Sequence, residues 1–471
     1  MNKIGSKLWC LSLIAVLGST FLVGCTNNYN GDGGVNVDDD ELQQIMSKYD
    51  DLNYSYTGDP CTISLAHWDG IGENIERSVI EAMLKGFEIR YPTIKVNVDI
   101  LSSYETTYPN RLAAGNVHDV FMMPDGDFPA WASMNKCVNL DPFINASELL
   151  DTDAMYESSL TRYRYNASTG LPSETGIQLA LPKDIGPTVM YYNKDIFDEM
   201  GVAYPSNTET MSIEDATTMW KSLVKKTDDG TVQRYAVSDL SIEGLVWSAG
   251  GDFLNDSRTA FPSDTTTLNG LKRGYQYLQD AYVTDCITPP SEFTAGYSGD
   301  TLFSQQRVAC FIGLKANVTA FRNLSFNWDV CPVPAFKVNP SKNAWSGSVG
   351  YSIYNGGSHI EAAWKLVEYI ASREGQEILS ATGFQIPVYE DLSYDEDFLA
   401  REKAAGPENF EAFLSAAANQ SYGTWQYRQD SRWKSLGYDA TSELLFSSDP
   451  NTRITVDEFI SRARTAVTQY L

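Results

Sequence analysis

Histidine is nearly absent: His67, His118 and His359 are the only three in 471 residues. No HExxH, GxSxG or GxxxxGK[ST] string occurs, so the sequence signatures of zinc proteases, nucleophile-elbow hydrolases and P-loop enzymes are missing. Spaced metal ligands are missing too, and nothing calls for a cofactor. Acid–base chemistry by two carboxylates survives this screen, because a fold can bring them together from any spacing. Positive charge is also short. Lys and Arg total 35 against 61 Asp and Glu, a formal charge of −26. Such a chain is a poor partner for nucleic acid, whose phosphates need a basic surface. Cysteine is too sparse for a disulfide framework. Beyond Cys10 and Cys25, the set Cys61, Cys137, Cys286, Cys310 and Cys331 is odd in number and has no CxxC spacing. These residues read as small buried hydrophobes, with room for one bridge. After Gly24 no apolar run is long enough to span a membrane.

What is present begins with an address. Lys3 and Lys7 precede an apolar run, Leu8 to Gly24, that closes in Leu22-Val23-Gly24-Cys25. A signal segment ending in a small residue directly before Cys resembles a lipobox. That resemblance implies removal of residues 1–24 and lipid on Cys25, which would hold the protein on the outer face of the cell membrane. An uncleaved anchor would tether it on the same side. Losing Lys3 and Lys7 takes the formal charge from −26 to −28. Residues 25–58 are poor in apolar side chains and carry Gly31-Asp32-Gly33-Gly34 and the acidic run Asp38 to Glu41. They are expected to form a flexible tether, with at most one helical turn at Leu42, Ile45 and Met46. The chain from Asp59 onward is too long for one ordinary core, so two domains are expected.

The next stretch alternates strand and helix patterns. Thr62 to Ala66 is a short strand candidate followed by His67-Trp68-Asp69-Gly70. Ile75, Val79, Ile80, Met83, Leu84 and Phe87 recur at helical spacing and predict a helix over 73–91 that Pro92 stops. Ile94, Val96, Val98 and Ile100 alternate, which predicts a half-buried strand. A helix over 106–114 and an apolar strand over 118–123 follow, then Pro124-Asp125-Gly126-Asp127. Strand–helix repetition of this kind is the pattern of a parallel α/β sheet. Ligands of such sheets bind beyond the carboxyl ends of the strands. That rule points to Trp68, Asp69, Tyr104, Asp125 and Asp127.

The stretch Leu179 to Pro205, LALPKDIGPTVMYYNKDIFDEMGVAYP, reads as a passage from one lobe to another. Pro182, Gly186 and Pro187 interrupt regular structure. Val189 to Tyr191 is a short buried strand, and Asn193 caps a helix that ends at Gly201. The string PKD…YYNKDIF…GV.YP resembles the first interlobe crossing of the sugar-binding family 1 of extracellular solute-binding proteins, which serve ABC importers. Other strings resemble the same family in the same order: YPTIKV, AAGNVHDV, the GGDFL element after Trp247, FSQQRVACFIGLKAN, WDVCPVP and HIEAAWKLVEYIASREGQEILSATGFQIPV. Lys315 departs from the pattern, standing where an aromatic often sits; it would bring a donor and leaves an acidic sugar open.

The resemblance implies an α/β fold of two lobes, the type II periplasmic-binding-protein architecture, with a ligand cleft between lobes joined by hinge crossings. It implies one lobe from 59–183 plus 336–388 and a second from 184–335 plus 389–471, with the residues after the third crossing read as helices packed on the second lobe. Ligand contacts are expected from Trp68, Asp69, Tyr104, Asp125, Asp127, Trp247, Lys315, Asn317 and Trp345, and hinge motion at Lys183, Asp184, Pro334 and Pro387. The chemistry fits a sugar: C–H faces stack on aromatic rings and hydroxyls need planar polar partners. The expected role is capture of a sugar or oligosaccharide, without catalysis, for an ABC permease by a lipid-anchored monomer. Alternatives are the same fold binding a polyamine, phosphodiester or metal complex, a ligand receptor for a membrane sensor and, remotely, a glycoside hydrolase.

Overall fold

The run Cys61–Trp68 forms the first strand, β1, because β-branched and apolar side chains dominate its middle. The computed structural model describes residues 37–68, 73–420, 423–427 and 432–471; the signal segment, Cys25 and Asp69 lie outside them. β1 pairs in parallel with β2 (Ile94–Leu101) along its whole length, from Cys61 opposite Ile94 to Trp68 opposite Leu101. β2 is an edge strand. Ile94 is buried, Val96, Val98 and Ile100 are half-buried, and Lys95, Asn97 and Asp99 face water. The helix Glu73–Arg90 connects the two strands and buries Val79, Ile80, Met83 and Phe87 completely. β3 (Val120–Pro124) lies on the other side of β1.

The chain then adds a small accessory sheet from β4 (Arg164–Asn166), β5 (Leu171–Pro172) and β6 (Ile177–Gln178), in the order β5-β4-β6. It continues into β7 (Leu181–Pro182). With β13 (Val349–Ile353) the first main sheet runs β2-β1-β3-β13-β7. The second main sheet contains β8 (Thr188–Asn193), β9 (Lys225–Lys226), β10 (Val232–Ser238), β11 (Val308–Leu314) and β12 (Trp328–Cys331), in the order β12-β8-β11-β10-β9. β8 runs antiparallel to both neighbours and is buried throughout, as its unbroken apolar and aromatic run requires.

The two sheets are joined where the chain passes between them. Ile185 bridges Ile386, and Gly186 and Gly347 exchange backbone hydrogen bonds at 2.8 and 2.9 Å. A side chain on Gly347 would meet the Trp345 ring at 3.2 Å, so the passage is narrow there.

Local rules held at several caps. Asn193 accepts from the Ile196 N–H, Ser212 accepts from the Asp215 N–H, and Gly201 ends its helix with φ +66°. The string HIEAAWKLVEYIASREGQEILSATGFQIPV forms two helices: Ile360–Ala371 begins without a side-chain cap from His359, and Ser372 starts Arg373–Thr382 by accepting from the Gly375 N–H. The five cysteines among the described residues are all free; Cys310 and Cys331 are buried, and Cys61, Cys137 and Cys286 are partly exposed. Among the described residues no helix is long and apolar enough to cross a membrane.

The expected tether is corrected over its second half. Asp39–Ser47 is a helix, capped by Asp38 at 2.8 Å from the Glu41 N–H. Leu42, Ile45 and Met46 lie at i, i+3 and i+4 and are buried in the first core. Burial of this kind stabilises by about 1.5–3 kcal/mol per side chain. The stripe was visible as one turn, and the acidic residues around it argued against the packed helix that forms. Polar contacts then fix the strap. Arg90 reaches Asp50 at 2.8 Å, the Met46 carbonyl at 2.5 Å and Glu374 at 2.9 Å; Lys48 meets Glu377 at 2.7 Å.

Leu42→Asp should release this strap while leaving the first sheet intact. In hydrogen exchange, amides of 39–47 should lose protection by about tenfold or more, and those of β1 and β3 should not change.

Candidate functional site

The buried strand β3 ends at Pro124 and turns sharply through Asp125–Asp127 into the helix Phe128–Ala132. This puts Asp125 at the carboxyl end of the sheet, beside the point where β13 begins; its N–H donates to the Ser348 carbonyl at 3.3 Å. Arg162, fully buried, lies 2.7 Å from Asp125 Oδ2. Its Nε donates to the Ser158 carbonyl at 2.9 Å, Nη1 also donates to the Ser346 carbonyl at 3.0 Å, and Nη2 donates to Ser346 Oγ at 2.9 Å. Four of the five guanidinium N–H groups are thereby used.

The network continues across the passage. Ser346 Oγ donates to the Gln420 carbonyl at 2.8 Å, and the Gln420 amide closes a two-way contact with the Thr188 backbone at 2.7 and 2.9 Å. Thr188 Oγ1 donates to the Trp345 carbonyl at 2.7 Å. Residues beyond the helix Glu411–Asn419 therefore return to the junction, which corrects the expectation that they only pack on the second lobe. The turn Thr424–Gln426 packs against the Asp125–Asp127 turn and β5, and the Arg162 guanidinium lies 5.7 Å from the ring centroid of its Trp425.

Several buried polar atoms around this junction have no hydrogen-bond partner: Trp68 Nε1, Gln385 Oε1, Trp425 Nε1 and Gln426 Oε1. The Gln385 side chain lies beside Gly186, where a Cβ would meet its amide at 3.4 Å. Unpaired buried donors and acceptors are costly and rare. Such atoms also occur in the lobe cores, at Tyr91 Oη, Trp220 Nε1 and Trp433 Nε1, so what marks the junction set as a candidate site is its place where the two lobes meet. Sequence reading missed Arg162, Gln385, Gln420 and Trp425. Gln385 stood inside the GFQIP string of the third crossing; the others carried no local signal.

The expected residues separate into groups. Trp68 ends β1 half-buried, and Asp125 and Asp127 follow β3 as the strand-end rule required. Trp345 is half-buried and packs on the cluster that contains Trp247 and Tyr427. Asn317 is half-buried and its Oδ1 accepts from the Leu314 N–H at 3.0 Å, closing the turn after β11. Three expectations are corrected. Tyr104 is a core residue, 2 % exposed, stacked on Tyr108 and donating to the Met122 carbonyl at 2.8 Å. Trp247 is 1 % exposed and its Nε1 donates to Tyr427 Oη at 2.8 Å, so the helix Ile242–Ser248 turns it inward. Lys315 is fully buried, 3.2 Å from Glu402, and donates to the Gly383 carbonyl at 3.0 Å. It is an interior ion pair and not a cleft donor.

Burial sets the electrostatics. Desolvation pushes Asp125 up to about 6 even though Arg162 opposes the shift. Asp127 is pushed up to about 7 by desolvation, then by Glu105 and Asp125, and among the described residues no cation lies within ion-pair reach of it. Lys315 is lowered to about 8, chiefly by burial. At the first crossing Lys183 Nζ sits 3.2 Å from both Glu76 and Asp184, all three buried. His67 behind it is lowered to about 3 by burial and then by Lys183, so it is neutral, with Nδ1 2.8 Å from the Trp68 carbonyl. Pro334 and Pro387 are buried on the second and third passages. A separate groove of about 710 Å³ lies between the helices Ile213–Leu223 and Thr265–Val283, over Tyr277 and Phe336; none of the expected residues lines it.

Residues 72–377 match the model of a family described as bacterial extracellular solute-binding protein. A galactooligosaccharide-binding protein of Bacillus subtilis (strain 168) is 24% identical over 237 residues, 48% of this chain and 52% of that protein. An arabinooligosaccharide-binding protein of Halalkalibacterium halodurans is 25% identical over 242 residues, 49% of this chain and 53% of that protein. The chain thus spans about half the length of the curated relatives it matches. Among solved structures, an ABC substrate-binding protein of Listeria monocytogenes in complex with cycloalternan superposes with TM-score 0.71 at 18% identity, covering 87% of this chain and 98% of that one. The GacH receptor of Streptomyces glaucescens, solved unliganded and with acarbose, gives TM-score 0.66 at 18% identity, covering 87% and 98%. These likenesses show the two-lobed α/β fold.

Lys315→Met should cost about 3 kcal/mol of stability in chemical denaturation, because Glu402 keeps its charge with only Arg322 beside it; ligand affinity should not change. Asp127→Asn acts in the opposite direction. A carboxyl raised in the fold contributes stability below its unfolded value that is lost as pH rises through the folded one. The unliganded variant should therefore melt about 1–3 °C above the parent at pH 8, and the gap should close as pH falls through 7 towards 4.

Proposed function

This chain belongs to the bacterial extracellular solute-binding protein family, and from that premise we propose that it captures a neutral carbohydrate outside the cell and passes it to an ABC transporter permease. The observation that carries the reading is the junction itself. Buried side-chain atoms without a hydrogen-bond partner lie on segments that converge there, Trp68 at the end of β1, Gln385 beside Gly186 and Gln426 in the turn that packs on Asp125–Asp127, and the guanidinium partner of the strand-end carboxylate Asp125 is already spent on protein acceptors. A polyhydroxylated ligand supplies acceptors and donors together, and its C–H faces suit Trp68 and Trp345. The names of the relatives support the same class, since the two curated ones bind galacto- and arabino-oligosaccharides.

Charge narrows the ligand. Lys183, Lys315 and Arg162, the cations buried at or near the junction, are each paired with a carboxylate. The donor that left an acidic sugar open is consumed inside the fold. Lobe closure about Lys183, Asp184, Pro334 and Pro387 encloses the ligand, with 59–183 plus 336–388 moving against 184–335 plus 389–471. Trp68, Asp69, Asp125, Asp127, Asn317 and Trp345 are the wall residues of this reading, joined by Gln385 and Trp425. No bond of the ligand changes. Lipid on Cys25 holds the monomer at the membrane, where the permease receives the closed form.

Thermal shift with neutral and acidic oligosaccharides, polyamines and phosphodiesters tests this. A neutral carbohydrate should stabilise the protein by about 2.7 kcal/mol at a hundred times its dissociation constant. Gln385→Ala should weaken that ligand by about threefold to tenfold, the value of one hydrogen bond. A shift with polyamines or phosphodiesters alone would move the ligand to another class. Cleaved sugar in the recovered ligand would make the protein a hydrolase.

A further inference from the structure

The strap helix Asp39–Ser47 touches more than the lobe in which it is buried. Its inner face, Leu42, Ile45 and Met46, sits in the first core. Its first turn carries Glu41, whose Oε1 lies 3.3 Å from Nη2 of Arg401. Arg401 belongs to the helix Glu396–Ala405, and that helix is seated in the core of the second sheet. Phe398 packs on Phe410, Phe410 on Phe413, and Phe413 on Tyr191 of β8. The residue after Arg401 is Glu402, the fully buried partner of Lys315 and Arg322.

The tie falls beside the third passage. Arg401 Nη1 donates to the Ser380 carbonyl at 3.1 Å, in the last turn of the helix Arg373–Thr382. That helix ends at Gly383, φ +65°, whose carbonyl accepts from Lys315 at 3.0 Å. Glu41 and Arg401 thus clip a second-lobe helix to the first lobe about one turn before the chain crosses between them. In the same arrangement the lobes also meet at the strand ends. The turn Thr424–Gln426 leads into Tyr427, which is buried with Trp247 in a second-lobe core, and the turn rests on Asp125–Asp127 of the first lobe.

We infer that the strap is a clasp across the third passage: it holds the second lobe to the first and favours the arrangement in which the 424–426 turn meets the 125–127 turn. A contact made in one arrangement of two bodies and lost in another biases the equilibrium between them. Strap docking and approach of the lobes therefore reinforce each other. The side chains of Glu41 and Arg401 are 25 % and 37 % exposed, so the effect of the pair is modest and is screened by salt. The inference goes beyond solute capture and is independent of which solute is bound.

The test is hydrogen exchange of the full chain without added ligand, in the parent, Glu41→Arg and Leu42→Asp, at about 0.1 M and about 1 M salt. Glu41→Arg sets two cations against each other. At low salt, amides of 125–127 and 424–427 should exchange about threefold faster than in the parent while β1 keeps its protection, and the difference should vanish at high salt. Leu42→Asp releases the whole strap and should speed the same two segments at least as much, at either salt. Parent-like exchange of both segments in Leu42→Asp, with amides of 39–47 exposed, overturns the inference and makes the strap a patch on the first lobe alone. Parent-like exchange in Glu41→Arg at low salt overturns it too. Neither result bears on carbohydrate capture, which thermal shift reads separately, and a protein that binds no carbohydrate would still show or lack the clasp.

Discussion

A lysine without water governs this architecture. Lys183 Nζ has no exposure and is held by Glu76 and Asp184, each 3.2 Å away. Isolated, a buried ammonium is prohibitive; paired on two sides it becomes a fixed point. Its position matters because its neighbours belong to different parts of the chain. Glu76 comes from the helix after β1. Asp184 Oδ1 accepts from the Val349 N–H at 3.2 Å, and its carbonyl accepts from Ser348 Oγ at 2.7 Å. The Lys183 carbonyl accepts from Gln376 at 2.8 Å. One buried charge cluster thus pins the outgoing passage at 183–184, the returning passage at 348–349 and the helix that precedes the third.

The second buried pair works by the same logic. Lys315 and Glu402 are both fully buried, and Arg322 shares the carboxylate. A charge this deep is part of the scaffold, since exposing it to a ligand would require breaking the pair. That separates scaffold from site. The site is built from groups with something left to offer: an unpaired indole N–H, an unpaired amide oxygen, a carboxylate with no cation. Placing such groups next to fully satisfied ones gives a rigid frame around unsatisfied chemistry, which limits what a ligand must spend to order its site.

Much of the fold was legible because local rules and tertiary demands agreed. The alternation in β2, the helical spacing from Val79 to Phe87, and the cap at Asn193 all appear as read. Strand-end reasoning placed Asp125 without any contact information. Where reading failed, the cause was direction or distance. Trp247 sits before a Gly-Gly turn on a helix, and only the rotation of that helix decides that it faces Tyr427. Lys315 read as a free cleft donor because its partner is 87 residues away in sequence at Glu402. Arg162 and Trp425 meet only when segments far apart in the chain close on each other. No periodicity announces such contacts.

The strap at the start of the chain follows from the same helix that serves the passages. Arg373–Thr382 points Glu374 and Glu377 outward, to Arg90, Tyr54, Tyr49 and Lys48 of the strap and its dock. It points Gln376 inward, where the amide reaches the Lys183 carbonyl and the Val388 N–H donates to its oxygen at 2.8 Å. Three residues on one turn of helix therefore face two tasks. Residues 39–54 do not dock on the first lobe at an arbitrary point. They are bound to the one helix whose other face holds the first and third passages between the lobes, so the orientation of the chain's entry and the alignment of the crossings share a single rigid element.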